Sequence, residues 1–194
     1  PGDNTFEFTS GPQTCFDFGW GQWGVYGVTF RLFYDDTKAH ADGRIASPPP
    51  HTVFGDSLEL RLTSTDPSIA QVDFIGRYRD FDFEGNGVYH QWHYNYRYGK
   101  ITRHLGTINE APFALTWRTD WIPDQDRPLQ IVARIRNTDG LYYMTDVVDD
   151  LILTRPDSSV VLYEPYDVPG RWQTRSGNAR QDNQVFIPHD LHRA

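Results

Sequence analysis

Cysteine, lysine and long apolar runs are almost missing from this 194-residue chain. Cys15 is the single cysteine, so no intrachain disulfide can form, and cysteine usage leaves the redox compartment open. Lysine occurs only at Lys38 and Lys100, the arginines are scattered, and the net charge is −8. A protein that grips phosphates shows a basic stripe, so nucleic acid is disfavoured as a partner, and acidic membrane surfaces with it. No apolar run approaches the roughly 20 residues of a membrane-spanning helix. No amphipathic helix of ten or more residues is visible. Nucleophilic catalysis lacks its parts: there is no Gly-x-Ser-x-Gly elbow, and Cys15 has no histidine beside it. The chain begins at Pro1 without a basic-then-apolar leader, which predicts a mature or excised piece of a longer protein.

What the chain does have is aromatic mass and turn formers. Aromatics make up 15% of it, with 16 glycines and 13 prolines. That mix suits short strands joined by tight turns. Period-two alternation dominates. Val28, Phe30, Leu32 and Tyr34 alternate with Thr29, Arg31 and Phe33. The same holds for Leu58, Leu60 and Leu62, and for Phe113, Leu115 and Trp117. Leu129, Ile131, Ala133 and Ile135 oppose Gln130, Val132 and Arg134. Shorter strands are expected at Val72–Ile75, Tyr142–Thr145, Leu151–Leu153, Val160–Leu162 and Val185–Ile187. Alternation places one face on a core and the other toward water or a ligand. Turns at Asp42-Gly43, Gly85-Asn86-Gly87, Asp139-Gly140 and Pro169-Gly170 separate the runs. Trp117 is expected to be buried against Ile131 or Ile135. The pattern predicts an all-β sandwich or barrel, as one domain or one domain with extensions.

Between 44 and 155 an ordered set of features resembles the bacterial immunoglobulin-like domains of exported multidomain proteins. A Pro-rich lead (Arg44 to Phe54) precedes the strand Leu58–Thr63. Then come Ile69-Ala70-Gln71-Val72-Asp73-Phe74, Ala111-Pro112-Phe113-Ala114-Leu115-Thr116-Trp117, Leu129–Ile135 and Asn137-Thr138-Asp139-Gly140. The resemblance implies an antiparallel Ig-like β-sandwich over 44–155, in an extracellular, tandem-domain setting. It implies no activity, since such folds serve as spacers, adhesins and sugar binders. The stretch 77–104 is too long for a simple Ig connection and reads as an aromatic and acidic insertion. Residues 1–43 and 156–194 read as β-rich extensions.

Four places carry candidate chemistry. Asp80, Asp82, Glu84 and Asn86 put oxygen side chains at every second position before a glycine, as calcium loops do. The pattern fails at its twelfth position, Gln91, and a distant carboxylate such as Asp73 would have to complete the shell. The bland alternative is a solvated acidic hairpin tip. Next, on a continuous strand over 88–98, Trp92, Tyr94, Tyr96 and Tyr98 share one face. His93, Asn95 and Arg97 share the other. Aromatic rings with polar tips suit sugar recognition, yet one of the two faces must be buried. Thirdly, Trp20 and Trp23 sit among glycines, as a sugar platform or as packing. Lastly, His90 and His93 invite a metal, but residues three apart point to opposite faces of a regular strand.

These observations lead to a non-catalytic carbohydrate-binding or accessory module of a secreted or cell-surface protein. Calcium is its one candidate cofactor. A polysaccharide or cell-surface glycan and the neighbouring domains of a larger chain are its partners. Two alternatives stand beside it. One is a structural or adhesive spacer. The other is a small metal-dependent or polysaccharide-degrading sandwich enzyme built on His90, His93 and His104.

Overall fold

The computed structural model describes residues 40–80, 89–156, 160–163 and 185–188, with Glu7, Phe30, Leu32, Phe33, Asp35 and Thr37 singly. The chain divides into two compact units, Pro1–Asp35 and Asp36–Ala194. In the first, Phe30, Leu32 and Phe33 of the expected strand are exposed and belong to no strand. Trp20 and Trp23 lie outside the described residues.

The second unit is an antiparallel sandwich without a helix among its described residues. One sheet has the order β1 (Arg44–Ser47), β3 (Ser57–Thr63), β9 (Ala114–Arg118). The facing sheet runs β2 (Val53–Phe54), β12 (Val148–Leu153), β10 (Leu129–Asn137), β4 (Ile69–Arg79), β5 (His90–Trp92). Its β2–β12 pair is parallel. In immunoglobulin lettering the sheets read A-B-E and A′-G-F-C-C′, so the fold is an Ig-like β-sandwich. Two further pairs complete the description: β6 (Asn95–Arg97) with β7 (Lys100–Thr102), and β13 (Val160–Tyr163) with β14 (Val185–Pro188).

Alternation does in space what it predicts in sequence. Along β3 the burial is strictly alternate, with Leu58, Leu60 and Leu62 inside. They meet Val72, Phe74 and Tyr78 of β4, Leu129, Ile131, Ala133 and Ile135 of β10, and Trp117 of β9 in one core. The last strand of the main sheet is broken. β11 (Tyr142–Met144) pairs the upper part of β10 and β12 the lower, with Thr145 bridging between them through Ala133. Just past β12, Arg155 ties the strand end down: its side chain, 3% exposed, holds Asp56 at 3.0 Å and Asp124 at 2.8 Å.

The insertion is a split edge strand. β5 pairs the lower end of β4, and β8 (Gly106–Ile108) pairs its upper end. Between them the His93 and Leu105 amides still donate to the carbonyls of Gly76 and Phe74. The chain leaves the edge after His93, makes the β6–β7 hairpin and returns to the same edge. Gly106 lets the return pass close to the core, since a β-carbon there would stand 2.5 Å from Leu115 Cδ2 and that side chain would have to shift.

Candidate functional site

The outer face of the main sheet, turned away from the core, holds an ion pair under a cover. Strand register puts Arg134 of β10, Asp73 of β4 and Thr107 of β8 in one row. Arg134 donates from Nε (2.9 Å) and from its NH2 nitrogen (2.7 Å) to Asp73 Oδ2. Oδ1 accepts from the Thr107 hydroxyl at 2.5 Å and from Gln71 Nε2 at 2.9 Å. Both charges are out of water, Asp73 fully and Arg134 at 4% exposure. A carboxylate in such a place is tolerated because all its acceptor sites are used. His104 extends the chain of bonds. The Thr107 hydroxyl already donates its hydrogen bond to Asp73, so His104 Nε2 is the donor in their 2.6 Å contact. Burial lowers the His104 pKa; nearby Asp73 opposes this and Arg134 reinforces it.

The cover is aromatic. Ile75 and Val132, also on the outer face, are buried with Ile101 of the hairpin, and Trp92 and Tyr94 pack against them. Alternation turns Val132 and Arg134 toward water or a ligand. The hairpin returning over that face buries both, which is the correction the tertiary structure makes. The Tyr96 hydroxyl accepts from Arg134. Tyr96 and Tyr142 place their rings 5.0 Å and 4.2 Å from the guanidinium carbon, a cation–π pair around one cation. Both remain about half exposed, at 45% and 47%. Together they form a shelf whose rings are held in place from beneath.

The continuous strand expected over 88–98 is interrupted at His93 and Tyr94. Trp92 opposes Arg77, while Gln91 opposes Tyr78. Trp92 and Tyr94 are half-buried; Asn95 is half-buried and Arg97 exposed on the hairpin. His93 lies on the core side, stacked on Tyr78 with ring centroids 3.9 Å apart, and its Nε2 donates to the Tyr78 carbonyl at 3.0 Å. Asp80 is fully buried with Oδ2 3.8 Å from His93 Nδ1. Asp82, Glu84 and Asn86 lie outside the described residues. Asp73, the distant carboxylate considered for their shell, is engaged by Arg134. His90 faces Asp126 at 3.0 Å. Among the described residues no three metal-ligating side chains converge.

Burial pushes the His93 imidazole down to about 4, against the Tyr78 hydrogen bond that raises it, with His90 lowering it further. The unfolded chain, with a histidine near 6.5, therefore binds a proton that the folded chain refuses between those values. Stability is fully present above that upper value and falls as pH drops toward 4, by about 3 kcal/mol for this one group. Urea midpoints taken at pH 7 and pH 4 should show that loss, and His93→Gln should flatten the slope. An unchanged slope in the variant would mean that another group carries it.

No family model and no curated protein matches the chain. Among solved structures, the fibronectin(III)-like modules of Clostridium thermocellum CbhA align over 58% of this chain and 94% of theirs, at 12% identity and a TM-score of 0.38. The Ig-like assignment rests on the strand order given above.

Sequence reasoning named Trp92, Tyr94, His93, Asn95 and Arg97 but missed Arg134, Asp73 and Tyr142 as one assembly. Its signal was present: a charged residue at an alternating position of each of two adjacent central strands.

Proposed function

We propose that this chain is a non-catalytic accessory module of an extracellular multidomain protein, with a glycan-facing surface on the outer side of its main sheet. The observation that carries this reading is the shelf of Tyr96 and Tyr142 around Arg134. Half-exposed rings offer flat apolar area to sugar CH groups. The Asp73–Arg134 pair fixes the guanidinium they lean on, so little ordering is left for a ligand to impose. Arg136, opposite Tyr142 in the register of β10 and β11 and only partly buried, adds a polar group beside the shelf. Catalysis finds no support there, because the carboxylate at its centre is saturated by four hydrogen bonds.

A glycan panel spanning neutral and acidic polysaccharides, followed by titration calorimetry on the hits, tests the proposal. Tyr142→Ala should weaken binding about tenfold while the melting temperature stays close to the parent's. A spacer role is the second reading, favoured by the use of Trp92 and Tyr94 for packing. It becomes the preferred account if no glycan binds.

A further inference from the structure

The tip of the β6–β7 hairpin is built against the interests of folding. It turns on Tyr98 and Gly99, whose φ angles are 51° and 74°. Positive φ at both central residues is the type I′ pattern, for which Asn-Gly or Asp-Gly is usual. Gly99 meets the requirement without strain. Tyr98 does not, since a bulky side chain in the left-handed region crowds its own backbone. It is not buried in compensation, being 92% exposed. Beside the turn, Arg97 and Lys100 stand directly opposite one another. Like charges so placed destabilise a strand pair. Among the described residues no carboxylate forms an ion pair with either cation. The next opposed pair, Tyr96 with Ile101, faces the sheet, so by alternation Arg97 and Lys100 point away from it. The Arg97 guanidinium also lies over the Tyr98 ring, 5.6 Å from its centre. Residues 89–104 contain no Asp or Glu in a chain whose net charge is −8.

A strained exposed ring and two facing cations are thus gathered at one tip, and among the described residues no carboxylate answers their charge. We infer that they form an anion-reading site on the outward side of the hairpin tip, beside the glycan surface, and that the ligand is an acidic polysaccharide bearing carboxylate or sulfate groups. Arg97 offers a planar fork to one acid group and Lys100 a compact charge to the same group or its neighbour. Tyr98 offers its ring to the sugar that carries the acid. Nucleic acid is the competing polyanion. It presents a charge at every step of its backbone and needs a run of cations to neutralise it, whereas this tip supplies two. The inference rests on the glycan-facing reading above and adds the class of ligand to it.

The experiment titrates the full chain with polygalacturonate for carboxylate, chondroitin sulfate for sulfate, xyloglucan as a neutral polymer and a single-stranded oligonucleotide. Binding to one or both acidic polymers is expected, and it should weaken with added salt. Arg97→Ala and Lys100→Ala should each lower affinity about tenfold. Tyr98→Asn gives the distinguishing result: the melting temperature should rise because turn strain is relieved, while affinity falls. That split separates a binding role from a structural one, and it does not depend on a variant that fails to fold. Equal binding of xyloglucan, or full affinity in all three variants, would overturn the acidic class and leave the glycan reading standing. Binding of the oligonucleotide alone, with the same sensitivity to the variants, would assign the tip to nucleic acid. No saccharide binding at all would overturn both readings.

Discussion

Arg134→Ala should cost this fold about 3–5 kcal/mol, because it strands Asp73 as an uncompensated buried charge. The carboxylate has no exposed surface, and two of its four hydrogen bonds come from Arg134. The loss spreads outward. Tyr96 forfeits its hydroxyl partner, and both shelf rings forfeit the cation between them. The double replacement Asp73→Leu with Arg134→Met should recover most of the stability, since an apolar pair of similar volume needs no desolvation to be repaid. Urea denaturation of the three proteins at neutral pH reads this directly. If the double variant is no more stable than Arg134→Ala, the ion pair is not the source of the loss. In the recovered double variant the shelf should bind sugar weakly, which would separate folding from recognition.

Trp117→Ala is expected to be about as damaging, at roughly 3–5 kcal/mol, for an unrelated reason. Its ring is 5% exposed and lies between the sheets, 5.2 Å from the Tyr78 ring and 6.4 Å from that of Phe54. Removing it opens a cavity where β9, β4 and β2 meet, and the surrounding strands are too constrained by their ladders to close it. Against a domain stability of about 5–15 kcal/mol this is a large share. Chemical denaturation with near-ultraviolet circular dichroism follows it. A variant that folds with near-native stability would show that the two sheets do not meet through this residue. Tyr78 stacks on His93 and meets Trp117 in a tilted contact, so the acid sensitivity expected of His93 should also change in Trp117→Ala.

The two losses mark what could and could not be read without the fold. Trp117 was legible. Phe113, Leu115 and Trp117 alternate on one short strand, and period two sends them to the same side. Arg134 was placed on the correct face by the same rule, with water or a ligand expected there, and a cover of the chain's own residues lies over it instead. Alternation says which way a side chain points, and nothing about whether a cover lies there. The cover comes mainly from residues 92–102, some 30 to 40 positions earlier in the chain. It reaches Arg134 only because β5 and β8 flank one gap on the edge of β4. The aromatic run was equally ambiguous. A continuous strand would have shared Trp92, Tyr94, Tyr96 and Tyr98 on one face. The break after Trp92 instead gives Trp92 and Tyr94 to packing and leaves Tyr96 and Tyr98 exposed on the hairpin.

By itself, then, the sequence determined the fold class and the inward residues of β3, β9 and β10. Each of these follows from local periodicity, turn chemistry and chain length, which act over a few residues. Only the tertiary structure decided that Asp73 and Arg134 stand opposite each other. It alone decided that Tyr142 joins Tyr96 on the same guanidinium and that Tyr98 carries a turn unsuited to it. Those are matters of register between strands distant in sequence, and register is set by the packing of the whole sandwich rather than by any segment within it.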